Sequence, residues 1–248
     1  MIKIKAIILA AGYATRLYPL TLNKPKALLP IADKPIIGYI LDEINTISDI
    51  DNIYVITNSK FYQHFLDWAT GITTDTPIEI IDDGTSTDET RLGAIGDIKF
   101  VIDQYSIDDD LMIIAGDNFF TFRLADYYTQ FQNNPRDYVV VKELNNIEQL
   151  RHFAVASLDR DGRIVDLKEK PQEPQSNIAV YATYIYLRQT LPLFSTYFAQ
   201  GNKGDAPGYF VQWLHTIKPV YAWHMDGDCY DIGTQKAYDD VRTKFEDL

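Results

Sequence analysis

From residue 3 to residue 142 the chain alternates short apolar runs with segments of helical periodicity, joined by short connections. Runs of strand length fall at 4–9, 53–57, 78–81, 111–115 and 138–141. Between them, residues 35–44, 61–69, 92–102 and 124–132 repeat apolar side chains at helical spacing, the first with Pro35 at its start. A strand followed by a helix cannot turn straight back as a hairpin, so this order predicts a mainly parallel sheet covered by helices on both faces. Ligands of such sheets bind outside the carboxyl ends of the strands. The loop after the first strand and Gly116-Asp117-Asn118 both lie at such ends and can meet there.

After residue 145 the pattern changes. Residues 153–158, 163–167 and 179–187 are strand-like, the first two joined by the turn Asp159-Arg160-Asp161-Gly162. They predict an antiparallel layer laid beside the sheet. Helices are expected at 189–198 and 207–217, short strands at 220–224 and 229–231, and Thr234 caps a final amphipathic helix reaching Phe245. With no repeat and no linker, one domain over residues 1–248 is expected. Its class is α/β: a three-layer Rossmann-like, mainly parallel (mixed) sheet with helices on both faces, plus a small antiparallel layer.

The loop after the first strand is the stretch richest in chemistry. Leu9, Ala10, Ala11, Gly12, Tyr13, Ala14, Thr15 and Arg16 are followed by Pro25-Lys26. The small residues keep side chains clear, so an anion can lie against backbone N–H groups, and Arg16 and Lys26 add fixed positive charge. The formal net charge is −12, yet residues 1–34 carry six basic groups against the single acid Asp33. An acidic chain excludes non-specific nucleic-acid binding, whereas a locally basic loop suits a small polyanion such as a triphosphate. Cys229 is the sole cysteine, so no internal disulfide can form and a reducing compartment is the default. The apolar run behind Lys3 and Lys5 is too short for a secretion signal, and no stretch is long enough to span a bilayer. A cytoplasmic protein with no membrane partner is expected.

Four segments taken in order then resemble the motifs of the sugar nucleotidyltransferases, which include glucose-1-phosphate thymidylyltransferases, uridylyltransferases and mannose-1-phosphate guanylyltransferases. They are residues 9–21 with Pro25-Lys26, Gly116-Asp117-Asn118, Glu169-Lys170-Pro171, and Tyr230-Asp231-Ile232-Gly233-Thr234. The resemblance spans nearly the whole chain. It implies condensation of a nucleoside triphosphate, dTTP or UTP favoured, with a hexose 1-phosphate, by in-line attack on the α-phosphorus with release of pyrophosphate. The attacking phosphate is already ionised, so the protein need supply no base; alignment and charge stabilisation are the requirement. By resemblance residues 1–145 mainly bind the nucleotide and 146–248 mainly the sugar phosphate.

The same resemblance, with physical reasons beside it, assigns the site. Leu9 to Arg16, Lys26, Gly93 and Asp117 contact the nucleotide. Arg16 holds the leaving pyrophosphate through its forked donors and Lys26 neutralises charge at the α-phosphate, so that Arg16, Lys26 and Asp117 form the catalytic set. Asp117 and Asp231 are the expected Mg2+ ligands, since this ion takes one or two carboxylates plus phosphates. Phe153, Glu169, Lys170, Tyr181 and Ala182 fall where the family contacts sugar and phosphate. Taken alone, Asp117 and Asp231 read equally well as turn or cap residues, and residues 91–97 as a helix start.

Three departures stand out. Ala14 occupies a place where glycine is frequent, Ala154 and Ala182 replace glycines, and residues 82–90 lack the glutamine common in thymidylyl and uridylyl enzymes. The chain ends soon after its last helix without the left-handed β-helix acyltransferase domain of some relatives, so one activity is expected. Rival readings are a cytidylyltransferase for a non-sugar phosphate such as phosphocholine, a nucleotide-sugar glycosyltransferase, and a non-catalytic nucleotide-sugar-binding regulatory subunit. The last expects loss of Lys26, Asp117 or Asp231, and all three are present. A homo-oligomer is compatible with the sequence, which does not fix the oligomeric state.

Overall fold

The structure, a computed structural model, describes residues 3–246. The chain begins with β1 (Ile4–Leu9), β2 (Pro30–Ile31), β3 (Lys34–Pro35), α1 (Ile36–Ile44), β4 (Ile50–Thr57), α2 (Tyr62–Thr70) and β5 (Ile78–Asp82). It continues through α3 (Ala94–Tyr105), β6 (Asp110–Ala115), β7 (Asn118–Phe120), α4 (Leu124–Asn133), β8 (Tyr138–Glu143) and α5 (Ile147–Leu150). The remainder is β9 (Ala154–Leu158), β10 (Ile164–Glu169), β11 (Ile178–Tyr186), α6 (Pro192–Ala199), α7 (Gly208–Leu214), β12 (Tyr221–His224), β13 (Cys229–Asp231) and α8 (Gln235–Lys244). Two compact units interleave along the chain. The first takes the described residues up to Leu92, Ile114–Ala125, and those from Gly227 on; the second takes Gly93–Ile113 and Asp126–Asp226.

In the first unit β1 is apolar on both faces, with Ile4, Ala6, Ile7 and Ile8 wholly buried, the pattern of a strand covered above and below. β4 runs parallel to β1 and to β5, pairing Leu9 with Ile56 and Ile56 with Ile81, so three strands end at one level. Gly116, just past β6, donates its N–H to Leu9 O at 2.8 Å. A Cβ on Gly116 would stand 2.9 Å from that carbonyl, so only glycine brings the next loop so close to the end of β1.

A second cluster in this unit joins segments far apart in sequence. Leu17, Leu29, Ile31, Ile36, Phe119, Ile232, Tyr238 and Val241 form one buried group. Burial of each aliphatic member stabilises the fold by about 1.5–3 kcal/mol. Within it β13 pairs antiparallel with β7, setting Asp231 opposite Asn118. The Thr234 hydroxyl accepts the Ala237 N–H at 3.2 Å, capping α8 as the sequence predicts.

In the second unit β9 pairs antiparallel with β10 and β11, and β11 with β8. β12 then joins β8 in parallel. β8 therefore departs from the parallel expectation: hydrophobic periodicity identifies a buried strand but carries no information on the direction of its partner. Aromatic rings fill the core beneath, with Phe194 and Phe210 stacked at 3.9 Å and Tyr186 and Tyr197 edge-on to Phe210.

Helix starts also differ from the sequence reading for local reasons. The stretch expected as one helix over 189–198 is a short 3-10 turn, Arg188–Thr190, and then α6, where Pro192 restarts the helix at its first turn. α3 begins at Ala94, two residues later than expected, because Gly93 has φ +78° and ψ 162°, outside helical space. The Ala94 and Ile95 N–H groups donate to Asp205 O and Gly204 O, both at 2.9 Å. A Cβ on Gly93 would lie 2.5 Å from Gly204 O. Gly93→Ala is therefore expected to cost roughly 2–4 kcal/mol of stability, measured as a lowered urea midpoint at unchanged slope.

Candidate active site

Three predicted residues meet in the first unit. Lys26 opens a 3-10 turn (Lys26–Leu28) behind Pro25, whose φ of −66° sets the approach. Its side chain is only 9 % exposed, and its Nζ lies 2.7 Å from Asp117 Oδ2 and 3.5 Å from Asp231 Oδ1. Asp117 follows Gly116, which is held against Leu9, and Asp231 ends β13 opposite Asn118. The packing of β7 against β13 thus delivers two carboxylates to one ammonium. Both carboxylates remain partly exposed, so they could also hold a metal ion whose remaining ligands come from a substrate. No group of three His, Cys, Asp or Glu side chains suited to a metal occurs among the described residues.

The loop after β1 offers backbone donors to the same unit. Among the described residues, the N–H groups of Ala11, Gly12, Tyr13, Ala14, Thr15 and Arg16 have no acceptor within the protein. Six consecutive free donors at a strand end form a natural anion cradle. Gly12 is exposed, and a Cβ there would meet nothing within 4 Å. Tyr13 turns its ring inward, its hydroxyl 3.3 Å from the Thr85 hydroxyl, so it presents only backbone. Ala14 adopts left-handed φ 48° and ψ 42°, which costs an alanine about 1–2 kcal/mol relative to ordinary backbone. This explains why glycine suits the position, and the Thr21 hydroxyl steadies it by donating to Ala14 O at 2.8 Å. Arg16 is exposed and makes no ion pair among the described residues.

The predicted sugar-contacting residues lie in the second unit and converge there. Ala154 pairs with both Glu169 and Val180 across β9, β10 and β11. Phe153 and Tyr181 rings stand 4.8 Å apart, and Phe153 O accepts the Lys170 N–H at 3.1 Å. Ala182 is half-buried, where the pairing of β11 with β8 slips between Tyr181 and Tyr184. Glu169 is 6 % exposed at its side chain, and its carboxylate accepts no hydrogen bond among the described residues; Lys170 Nζ is 3.9 Å away. Burial pushes its carboxyl above the usual range, and Lys170 pulls it part of the way back. Lys170 itself has φ 47°, a strained value for a residue with a side chain. Gly208, absent from the sequence reading, makes room for this carboxylate: a Cβ there would collide with Glu169 Oε2. Only the Pro207-Gly208 pair at a helix start could have flagged it. Gly93, also in this unit, has the space at its Cα filled by Gly204 and Asp205.

Comparison with known proteins gives the same kinship. The nucleotidyl transferase family profile matches residues 5–247. A putative mannose-1-phosphate guanyltransferase of Sulfolobus acidocaldarius is 31 % identical over 191 residues, 76 % of this chain and 50 % of that protein. A glucose-1-phosphate thymidylyltransferase of Streptomyces antibioticus is 31 % identical over 185 residues, 73 % of this chain and 49 % of that protein. The chain thus spans about half the length of these relatives. The fold matches a putative glucose-1-phosphate thymidylyltransferase from Bacillus anthracis solved with sucrose, at TM-score 0.78, 22 % identity, and coverage of 99 % and 96 %. Among the described residues no helix is long and apolar enough to cross a membrane.

The raised Glu169 carboxyl has a sign that can be checked. Between the ordinary carboxylate value and the raised one, the folded chain binds the proton more tightly than the unfolded chain, so stability falls as pH climbs through that interval. Glu169→Gln lacks this fall. Its melting temperature is expected to match or trail wild type below the interval and to exceed it above, measured by thermal unfolding from pH 3 to pH 8.

Proposed function

Because this chain belongs to the nucleotidyl transferase family, we propose that it is a cytoplasmic sugar-1-phosphate nucleotidyltransferase, condensing dTTP or UTP with a hexose 1-phosphate to a nucleotide sugar and pyrophosphate. The observation that carries this reading is Lys26 seated between Asp117 and Asp231, in the same unit as the six free N–H groups from Ala11 to Arg16. A phosphate binder needs only the cradle. A buried ammonium paired with two carboxylates beside it is the equipment for stabilising charge at a reacting phosphorus. The thymidylyltransferase and a uridylyltransferase among the relatives support dTTP or UTP, and the guanyltransferase, as similar as the thymidylyltransferase, makes GTP the alternative.

In this mechanism the free backbone donors from Ala11 to Arg16 hold the triphosphate chain at the end of the strand that Leu9 and Ala10 close, and the Arg16 fork takes the pyrophosphate that leaves. Lys26 neutralises charge at the α-phosphate. The attacking oxygen belongs to a phosphate already ionised at neutral pH, which agrees with a site built of cations and carboxylates. Glu169 accepts hydrogen bonds from sugar hydroxyls, satisfying a buried carboxylate that otherwise has none. Lys170 pairs with the sugar phosphate, with Phe153, Tyr181 and Ala182 lining the sugar. Residues 1–145 thus serve mainly the nucleotide and 146–248 mainly the sugar phosphate, Asp231 excepted. Gly93 contacts the nucleotide through its backbone and also sets the start of α3.

Asp117 and Asp231 are the residues that would hold Mg2+. Two partly exposed carboxylates that already share one cation fit an ion completing its shell with phosphate oxygens. When bound, it supplies further neutralisation of the phosphate charge.

The decisive measurement is pyrophosphate release over a grid of nucleoside triphosphates and sugar 1-phosphates with Mg2+. Release with a hexose 1-phosphate is expected; silence across the grid would favour a regulatory subunit. In the working assay Lys26→Ala and Asp117→Asn should each lower turnover by roughly a hundredfold or more. A near-wild-type rate in either variant removes that residue from the catalytic set.

A further inference from the structure

Asn58, just past β4, is wholly buried, yet it touches the loop after β1. Its Nδ2 donates to Ala11 O at 2.8 Å, and its Oδ1 accepts the Phe61 N–H at 3.1 Å. These partners fix the amide's orientation, since a carbonyl can only accept and an N–H only donate. The neighbouring Thr57 hydroxyl, also buried, donates to Ala10 O at 3.2 Å, and the Ala10 N–H donates to Ile56 O at 2.8 Å. The end of β4 therefore claims the carbonyls of both Ala10 and Ala11.

Peptide bonds at these positions are trans, so each claimed carbonyl sends the next N–H the opposite way. With Ala11 O turned toward Asn58, the Gly12 N–H is turned away from β4. Thr57 does the same for the Ala11 N–H. Gly12 is exposed with open space beside its Cα, and neither N–H has an acceptor among the described residues. A different loop conformation could turn these carbonyls outward, where they would repel a phosphate.

We propose that Asn58 is a positioning residue for nucleotide binding: by holding Ala11 O it aims the Gly12 N–H at the triphosphate. This rests on the reading of residues 9–16 as the triphosphate loop. Asn58 never touches the substrate. The competing role is a local one, in which Asn58 only organises the start of α2 through Phe61.

Two variants separate these roles. Asn58→Ala removes both bonds. Asn58→Asp keeps an oxygen for the Phe61 N–H but sets a second oxygen against Ala11 O, and it carries the test if Asn58→Ala does not fold. In Asn58→Asp the KM for the nucleoside triphosphate and the Kd for inorganic pyrophosphate, by calorimetry with Mg2+, should each rise about tenfold or more, with the KM for the sugar 1-phosphate held within about twofold. A purely structural loss shrinks the folded fraction, which lowers apparent kcat and leaves both KM values in place. Lowering the pH should partly restore pyrophosphate affinity in Asn58→Asp relative to wild type, because the protonated carboxyl regains a donor for Ala11 O. Wild-type KM and pyrophosphate affinity in both variants would reduce Asn58 to a helix-start residue and overturn the proposal. If wild type itself neither binds nor releases pyrophosphate, the proposed function fails first and takes this inference with it.

Discussion

Burying an ammonium is costly unless carboxylates meet it, and Lys26 is met by two, one from each strand at the same end of a two-stranded pairing. That requirement reaches well beyond the three side chains. Asp117 arrives only because Gly116 can press against Leu9 O, and Asp231 only because β13 lies in register with β7. Loss of either carboxylate leaves a buried cation underpaired, so folding and chemistry share one point of dependence. The second unit has a parallel case of opposite sign: Glu169 is a buried carboxylate whose nearest cation is 3.9 Å away.

Each of the four charged residues predicted in the first unit has an apolar neighbour along the chain that is buried in the core. Leu17 follows Arg16, Leu29 lies three residues past Lys26, Phe119 two past Asp117, and Ile232 directly after Asp231; all four belong to one buried cluster. Tyr238 ties α8 to the same group by donating its hydroxyl proton to Pro30 O at 2.7 Å. Among the described residues four that are not glycine have left-handed backbone; Ala32 turns between β2 and β3 and Ser106 closes α3. Ala14 and Lys170, both left-handed without being glycine, lie in the loop after β1 and at the end of β10.

Much of this was legible in the sequence. The strand–helix alternation, the Thr234 cap and the span of β13 follow from periodicity and capping chemistry, and the motif residues fall into two groups, one in each unit. The illegible parts share a cause. β7 is three residues long, too short to show a period, yet its pairing brings Asp117 and Asp231 to one lysine. Gly208 and Asn58 act by giving space or by holding another residue's carbonyl, and neither duty leaves a pattern along the chain. Gly93 likewise makes room for the Gly204 carbonyl, a duty that its place in the sequence does not show.

The interleaving of the two units sets an order of assembly during synthesis. Every residue of the second unit precedes Gly227, whereas the first unit lacks β13 and α8 until residues beyond that point are made. Until then Lys26 has Asp117 but no Asp231, and Ile232, Tyr238 and Val241 are missing from the cluster beside it. A nascent chain with a complete second unit therefore still carries a buried lysine with one of its two carboxylates missing. A chain truncated before Gly227 contains Lys26 and Asp117 but neither the second carboxylate nor the packing of Ile232, Tyr238 and Val241 beside them.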